Sequence, residues 1–378
     1  MRVLHSGSLD VRSGGPALSM SLTMKGLEHT GVKCVGLSEE VSPGSRLYDP
    51  SQPIRLTHRG RFGTLSYVDN IYDCLEREDG VDLYHIHGIW MYHGWAVSRY
   101  ARRCGKPYIV APRGMLYPQA LAHNKIVKRM MMALYQSREL TQAACVQATC
   151  EEEMAHYREL GFTNPVAVIP NPIECRGVVD VPSQWDGVLR FGYLGRVHPR
   201  KRIERLIYAF DALRDKLKDA ELLIIGGGDE DYERFLRGET ERLGLKNVRF
   251  AGFLTGREKD EAIRSLSWLV VPSDFENFGN IVTEALVRGV PVIASKGMPW
   301  EELERCYCGR WIENDQGTIN RTINEVCGLT EKERSAMGEN GKRLVVEGYS
   351  VEALGEKMCK LYKWILGEGE KPEFVYTD

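Results

Sequence analysis

The chain has 378 residues, of which 43% are hydrophobic and 27% charged, a composition typical of globular rather than disordered or fibrous proteins. Its 50 Lys and Arg residues nearly balance its 52 Asp and Glu residues, and the net charge of -2 argues against a nucleic-acid-binding protein. Residues 1–13 are too polar for a signal peptide, and no run of 18 apolar residues is present. We therefore expect a cytoplasmic protein with two domains.

Short apolar runs typical of buried strands alternate with amphipathic segments along the whole chain. These runs are 2–6, 32–37, 83–87, 107–111, 144–147 and 166–169 in the first half, and 189–194, 221–225, 248–251, 268–271 and 291–294 in the second. Such alternation predicts an α/β fold, with two doubly wound, Rossmann-like domains of five or six parallel strands each.

A proline-containing segment with little periodicity, 170–187, separates the two sets of strands. The predicted divisions are a first domain at 1–175, a linker at 176–187, a second domain at 188–348, and a final helix with its tail at 349–378. The ten cysteines include no C-x-x-C pair, which favours reduced thiols and no metal site.

Three loops that follow predicted strands carry residues suited to ligands. Gly14 and Gly15 precede Pro16 at a helix start, a pattern that lets backbone approach a phosphate, although many such turns are only turns. The second loop, 195–202, places four cations between a strand and a helix, where they oppose the helix dipole. An anionic ligand such as a diphosphate explains them better than solvation does.

The third loop leads into a helix and holds two carboxylates, Glu276 and Glu284. They could accept hydrogen bonds from two parts of a polyhydroxyl ligand, whereas two solvated glutamates are the plainer interpretation. Backbone N–H groups at Phe278, Gly279 and Asn280 would be free to bind anionic oxygens.

The segment from Glu276 to Glu284 resembles the E-x7-E signature of the retaining glycosyltransferases of family four, which have the GT-B fold. Further motifs resemble those of its bacterial capsule, O-antigen and exopolysaccharide members, in family order across nearly the whole chain: DLYHIHGIW (82–90), APRGML (111–116), VIPNP (168–172), GR (195–196) with Lys201, and GMPW (297–300).

The resemblance implies transfer of a hexose or N-acetylhexosamine from a nucleotide diphosphate sugar, with retained anomeric configuration and no metal cofactor. The nucleotide it implies is UDP, which is common in the family. It implies a glycan or lipid-linked acceptor, two domains facing across a cleft, and a last helix that crosses back to the first domain. A GT-B sugar-nucleotide epimerase and a non-catalytic nucleotide-sugar binding partner are the alternatives.

Carried over by position, the resemblance implies a role for each matching residue. Arg196 and Lys201 would hold the donor diphosphate, Glu276 would face the hexose, and Glu284 would bind the ribose. Gly14 and Gly15 would approach the diphosphate from the first domain, and the backbone of Phe253 and Leu254 would hold the base. His87 and Arg113 would lie on the acceptor side. The catalytic residues would be His87, Arg196, Lys201 and Glu276.

Three positions depart from the family pattern. Arg202 stands where many members have Gly, Arg113 where some have His, and Cys150 where Ser or Thr is usual. Two possible metal motifs are also present, His85 with His87 and the acidic run 229–231. The first lacks a third ligand in the sequence, and the second begins a helix, where acidic residues are expected anyway. We predict no metal at either.

The stretch 83–138 contains nine Lys or Arg residues and no Asp or Glu. A solvated basic helix face is one interpretation. The other is reversible contact with an anionic membrane, at the inner face of the plasma membrane, because cations near such a surface contribute about 1 kcal/mol each.

Overall fold

The computed structural model describes residues 1–42, 45, 47, 52–181 and 186–377, with the backbone alone for Thr64. The chain divides into two compact units. Unit 1 combines Met1–Pro172 with Ser350–Asp378, and unit 2 is Ile173–Tyr349. Among the described residues, no helix is both long and apolar enough to cross a bilayer.

Strands from these residues form two sheets. In chain order they are β1 (Arg2–Ser6), β2 (Lys33–Glu39), β3 (Ile54–Thr57), β4 (Leu83–His87), β5 (Tyr108–Ala111), β6 (Cys145–Ala148), β7 (Val166–Val168), β8 (Arg190–Leu194), β9 (Glu221–Ile225), β10 (Val248–Gly252), β11 (Trp268–Val271), β12 (Val292–Ser295), β13 (Gly309–Ile312) and β14 (Val375–Tyr376).

The helices cover both sheets. They are α1 (Gly15–Glu28), α2 (Ile71–Glu76), α3 (Tyr92–Arg103), α4 (Pro118–Ala122), α5 (Lys125–Met131), α6 (Ser137–Thr141), α7 (Glu151–Glu159), α8 (Glu204–Ala212), α9 (Glu230–Arg242), α10 (Gly256–Arg264), α11 (Asn280–Leu286), α12 (Glu302–Arg305), α13 (Gln316–Val326), α14 (Glu331–Gly348) and α15 (Val351–Ile365). A π-helical segment, Met132–Gln136, joins α5 to α6.

The sheet of unit 1 has the strand order β14-β7-β6-β5-β4-β1-β2-β3, and only β14 runs antiparallel to its neighbour. The sheet of unit 2 is wholly parallel, in the order β10-β9-β8-β11-β12-β13. The strand order reverses between β1 and β4 in the first sheet and between β8 and β11 in the second. Ligands of open α/β sheets bind at the carboxyl ends of such strands.

These sheets confirm the predicted class, two doubly wound Rossmann-like domains. The expectation of five or six strands per sheet is wrong for unit 1, whose described part contributes eight. β3 contains only two large aliphatic residues, and the two residues of β14 pair only with β7. Neither strand produces an apolar run of its own.

The segment that follows Pro172 packs within unit 2. The buried guanidinium of Arg264 donates to the carbonyl oxygens of Val178 and Val181 at 2.9 and 3.1 Å. The first unit thus ends at Pro172, three residues before the predicted limit of 175, and part of the predicted linker, residues 182–185, lies outside the described residues. The final helix, α15, belongs to unit 1.

Helix α15 crosses α1 at two glycines. A Cβ atom on Gly26 would collide with the carbonyl oxygen of Val351, and one on Gly355 would collide with the carbonyl oxygen of Gly26. Interior packing leaves no room for an extra methyl group here. The glycines therefore set the close approach of the two helices, whose apolar side chains cover one face of the unit 1 sheet.

We expect Gly26→Ala to lower the free energy of unfolding by about 2–3 kcal/mol, the cost of overpacking. In α9, by contrast, Gly238 faces open space, so Gly238→Ala should raise it by about 0.5–1 kcal/mol through helix propensity alone. Chemical denaturation of both variants measures the difference. Equal effects of the two substitutions would contradict the close crossing.

Candidate functional site

Two loops at the carboxyl edge of the unit 2 sheet are joined by backbone hydrogen bonds. Val197 N donates to Gly227 O at 3.1 Å, and Asp229 N donates to Val197 O at 2.8 Å. Gly226 has a φ of 142°, and a Cβ atom there would collide with the carbonyl oxygen of Gly195. This close approach fixes the loop that carries Arg196, whose exposed side chain has no ion-pair partner among the described residues.

The buried cation of this loop is Lys201. Its Nζ contacts Oε1 of Glu276, and the two side chains are only 8% and 15% exposed. Burial, followed by the neighbouring Arg200 and Arg196 cations, lowers the pKa of Lys201 to about 7, while the contact with the Glu276 carboxylate acts in the opposite direction. The site thus holds a desolvated amine close to titration at neutral pH.

Arg202 ends the short 3₁₀ turn that carries Lys201. Its φ of 51° lies in the left-handed region, which glycine adopts with less strain than arginine does. The Nε of Arg202 donates to Oδ2 of Asp274 at 2.6 Å, and Asp274 N donates to Arg200 O at 2.9 Å. These bonds tie the loop after β8 to the loop after β11.

Residues 297–300 support the loop after β11 through hydrogen bonds. Glu276 N donates to Gly297 O at 2.8 Å, and the indole Nε1 of the buried Trp300 donates to Phe278 O at 2.5 Å. Gly279 adopts a φ of 79° immediately before α11. The GMPW motif therefore supports the loop that presents Glu276, a structural role that its sequence alone did not indicate.

Glu284 has a separate cationic partner. Its Oε2 atom lies 2.5 Å from Nζ of Lys259 on α10, and its side chain is largely buried. Lys259 was not predicted from the sequence, because nothing in its spacing connects it with α11. Phe253, the residue after β10, is 80% exposed, and its Cβ lies 4.0 Å from the position that a Cβ of Gly227 would occupy.

The structure thus brings most of the predicted donor residues to one edge of the unit 2 sheet, and their contacts with a ligand stay predictions. These residues are Arg196, Lys201, Phe253, Leu254, Glu276, Phe278, Gly279, Asn280 and Glu284. Asp229, of the acidic run 229–231, caps α9 by accepting from Tyr232 N at 2.9 Å, the structural role expected for it.

In unit 1, Gly14 and Gly15 lie at the exposed start of the 14-residue helix α1. Gly14 has a φ of 69°, and a Cβ atom there would meet nothing within 4 Å. Room for backbone contact with an anion is therefore present, since the first amide groups of a helix have no partner within it.

His87 is buried at the carboxyl end of β4 and both of its ring nitrogens have partners. Nδ1 faces Nη2 of Arg113 at 3.0 Å, and Nε2 faces Nδ1 of His5 at 3.1 Å. Since a guanidinium only donates, His87 Nδ1 accepts, and the ring proton on Nε2 donates to His5. Burial, His85 and Arg113 lower the pKa of His87, so this ring is neutral.

The neighbouring His85 is hydrogen bonded to α15. Its Nδ1 lies 2.7 Å from the hydroxyl oxygen of Tyr362, and its ring stacks on that of His87 with centroids 4.2 Å apart. The sequence indicated no third ligand for His85 and His87, and the structure corrects this: potential ligand atoms of His5, His85 and His87 lie within 4.8 Å of one another. The buried Arg113 guanidinium opposes a further cation there, so the rings fit a hydrogen-bonded array better than a metal site.

Arg113 is buried and has a φ of 55°. Besides His87, its guanidinium donates to Oδ1 of Asn171 at 2.6 Å, within the VIPNP motif. Cys150 precedes α7 without a side-chain cap, and Glu153 instead accepts from the N–H and hydroxyl of Thr149 at 2.7 and 2.8 Å. The same carboxylate accepts from Gly114 N at 2.5 Å and so fixes the Arg113 loop.

Comparison with known proteins identifies two family domains. Residues 14–172 match the glycosyl transferase 4-like domain, and residues 184–361 match the glycosyl transferases group 1. A phosphatidyl-myo-inositol mannosyltransferase of Mycobacterium leprae is 24% identical over 269 residues, which cover 68% of this chain and 67% of the relative.

A GDP-mannose-dependent monoacylated alpha-(1-6)-phosphatidylinositol monomannoside mannosyltransferase of Corynebacterium glutamicum is 28% identical over 222 residues, 57% of this chain and 51% of the relative. Among solved structures, Anabaena HepE in complex with UDP and glucose superposes with a TM-score of 0.76 over 96% of this chain and 99% of that one, at 16% identity. At that identity the likeness concerns the fold.

Proposed function

Because the chain belongs to the glycosyltransferases and has the GT-B fold, we propose that it moves a hexose or N-acetylhexosamine from a UDP-sugar to a lipid-linked glycan. The proposed setting is bacterial surface polysaccharide synthesis at the cytoplasmic face of the membrane. We propose a reaction that retains the anomeric configuration, by front-face attack of the acceptor hydroxyl, and needs no metal.

One observation carries this proposal: the buried Lys201, paired with Glu276, lies in the same loop as the exposed Arg196, which has no ion-pair partner within the described part of the chain. Glycosyl transfer develops positive charge on the sugar and negative charge on the departing diphosphate. Fixed cations stabilise such a leaving group more strongly in a desolvated site than in water. Arg196 would contact the diphosphate through a forked guanidinium, and Lys201 as a point charge.

The two glutamates then divide the rest of the donor. Glu276 keeps Lys201 in place and would accept hydrogen bonds from hexose hydroxyls, and Glu284 would accept from the ribose. Lys259 forms an ion pair with the Glu284 carboxylate, so the ribose hydroxyls would either share this carboxylate with Lys259 or displace Lys259 from it.

The nucleotide base has two candidates. HepE, whose fold is similar, is named in complex with UDP, which supports a UDP-sugar. The relative from Corynebacterium glutamicum is named GDP-mannose-dependent, which favours GDP-mannose as the second candidate. The exposed Phe253 and the backbone beside it would contact either base without reading it through a charged side chain.

Thermal unfolding in chelator with UDP, GDP, ADP and CDP tests the donor site. A ligand at about 100 times its dissociation constant adds about 2.7 kcal/mol, so the preferred nucleotide should raise Tm by several degrees. Glu284→Gln should weaken this shift, whereas Glu325→Gln, a surface control paired with Arg310, should not. If the folded wild-type protein shows no shift in Tm with any nucleotide, the proposed donor site is contradicted. In a separate assay without acceptor, net conversion of the donor sugar to its epimer would favour the epimerase.

Helix α5 supports the membrane part of the proposal. Ile126, Val127 and Met130 are 77%, 55% and 58% exposed, and Leu134 follows them at 78% in the π-helical segment. Spaced at i, i+1, i+4 and i+8, these residues share one face of the helix. Lys125 and Arg129 are also exposed. An apolar row with flanking cations is typical of helices that lie in a bilayer interface.

We expect vesicles with anionic lipid to retain the protein at low salt and neutral vesicles not to retain it. Exchanging two members of the row, in the Ile126→Ser/Met130→Ser variant, should weaken retention at least about 10-fold, because burying one large aliphatic side chain contributes about 1.5–3 kcal/mol. Val346→Ser, at an exposed position of α14, is the matched control and should bind like wild type. Equal retention of all three proteins would exclude α5 as the contact.

A further inference from the structure

Four arginines line one groove of unit 1. The groove encloses about 600 Å³, and its walls include Arg99, Arg102, Arg103 and Arg138 together with Trp95 and Tyr135. Three of the arginines belong to α3, and the fourth lies on α6. None of them belongs to the residues assigned above to the donor or acceptor.

Carboxylates do not neutralise these arginines. Among the described residues, none of the four forms an ion pair, whereas arginines such as Arg190 and Arg242 pair closely with carboxylates. The acidic residue that follows Arg138 in the sequence is Glu139, which is buried. Burial raises the pKa of Glu139 to about 8, so its carboxyl is mostly protonated at neutral pH and leaves the groove positive.

Helix capping explains only part of the cluster. Arg102 and Arg103 lie in the last turn of α3, where cations interact favourably with the helix dipole. Arg138 likewise lies in the last turn of α6. Arg99 lies one turn before the end of α3, above the ring of Trp95 at 5.2 Å, and the dipole of a single helix does not explain why all four arginines line one groove.

Two of the guanidinium groups are each positioned by one hydrogen bond to a neighbouring residue and keep other N–H groups for a ligand. Arg102 Nη1 donates to the hydroxyl of Tyr108 at 3.2 Å, and Arg138 Nε donates to Oε1 of Gln142 at 3.3 Å. Each guanidinium keeps further N–H groups, in the forked geometry that matches phosphate oxygens. Four like charges that line one groove favour an anion bound among them.

We propose that this groove binds the phosphate group of an anionic lipid headgroup. Leu134, which lines the groove, also belongs to the exposed apolar row of Ile126, Val127 and Met130. A phosphate site that continues into an apolar row matches a bilayer interface, where headgroup phosphates lie beside acyl chains. The inference deepens the membrane contact proposed above and rests on it, but it does not depend on sugar transfer.

The test uses the full chain and a variant with three exposed arginines replaced, Arg99→Gln/Arg103→Gln/Arg138→Gln. Arg102 stays, since it bonds Tyr108. A charge-matched control, Lys33→Gln/Lys246→Gln/Lys332→Gln, removes three exposed cations elsewhere. Binding is measured by co-sedimentation with phosphatidylglycerol vesicles, with the same vesicles plus pyrophosphate, and with fatty-acid vesicles of equal surface charge but no phosphate.

We expect the groove variant to bind phosphatidylglycerol vesicles about 100-fold more weakly, since each cation near an anionic surface contributes roughly five-fold. The control should keep most of its binding, pyrophosphate should compete, and the fatty-acid vesicles should bind less. Equal loss in the control, equal binding to fatty-acid vesicles, or no binding by wild type would each overturn the proposal. Donor turnover with a soluble acceptor should be the same in all three proteins, which separates this outcome from failure of the proposed function.

Discussion

Replacing Lys201 by alanine should lower kcat for sugar transfer by about 100- to 1,000-fold, the usual cost of removing one fixed group that stabilises charge in a transition state. The ammonium group is buried against Glu276 and lies in the loop that also carries Arg196. Its removal would take a positive charge from the site proposed for the leaving diphosphate, and it leaves the Glu276 carboxylate without its cation. Steady-state kinetics with the identified donor measure the effect.

The control for this variant is Arg202→Ala, in the adjacent position. Arg202 pairs with Asp274 at the surface, where an exposed ion pair contributes less than about 1 kcal/mol, so transfer should change only slightly. Thermal unfolding of both variants shows whether they remain folded. A folded Lys201→Ala protein with nearly wild-type kcat would exclude Lys201 from leaving-group stabilisation.

The pH dependence gives the same residue a second signature. Since the pKa of Lys201 is lowered to about 7, the free enzyme loses this positive charge as pH rises through 7. We expect kcat/KM for the donor to fall over that range, because it reports groups of the free enzyme. Lys201→Arg keeps its charge at pH 8 and above, and should therefore flatten the profile even if its absolute rate is lower.

Mild acid should destabilise the protein strongly through four buried histidines. His5, His85, His87 and His93 are buried, and this burial lowers the pKa of each: that of His5 to about 3 and that of His93 to about 4. A histidine whose pKa is lower in the folded state stabilises the fold above its unfolded pKa of about 6.5, and this stability is lost as pH falls. Each contributes about 1.4 kcal/mol per pH unit in that range.

Glu139 partly offsets this effect. Burial raises the pKa of its carboxyl to about 8, so the folded state already holds one proton that the unfolded chain gains only near pH 4.5. The net difference between pH 5.5 and 4.5 is about three protons, or about 4 kcal/mol per pH unit. Denaturant titrations across this range measure the slope.

His93→Gln should reduce that slope by about one proton, because an amide does not titrate. The substitution disturbs few contacts, since the hydrogen bond of the His93 ring to a described residue is the one with Ser6 Oγ at 2.9 Å. His123→Gln, at an exposed position, should leave the slope unchanged. If neither variant differs from wild type in slope, the buried rings are not the source of the acid sensitivity.

The sequence predicted the elements that follow from hydrophobic patterns and missed those that depend on partners. Strands such as β9 and β11 were predicted to the residue, because a buried parallel strand is a nearly continuous apolar run. β13 was missed, since only Trp311 and Ile312 in it are large and apolar. An edge strand forms because its backbone hydrogen bonds to the neighbouring strand, and this pairing needs no particular side chains that a sequence would show.

The same distinction applies to the site. Loop chemistry and family resemblance indicated Lys201, Glu276 and Glu284, but not that a lysine from α10, Lys259, contacts Glu284. Likewise, no spacing argument shows that Arg113 lies between His87 and Asn171, residues 26 and 58 positions away in the chain. Such contacts come from the crossing of distant elements, and one sequence carries no record of them.

The division of unit 1 into two chain segments also determines the order in which the protein can fold during synthesis. Ile173 N donates to Tyr349 O at 2.9 Å, so the two ends of unit 2 lie side by side, as in an inserted domain. A ribosome releases all of unit 2 before α15, which must still cover α1. Unit 2 can therefore fold while unit 1 is still incomplete, with the apolar face of α1 exposed because α15 has not yet been synthesised. During that interval the chain would need a chaperone most.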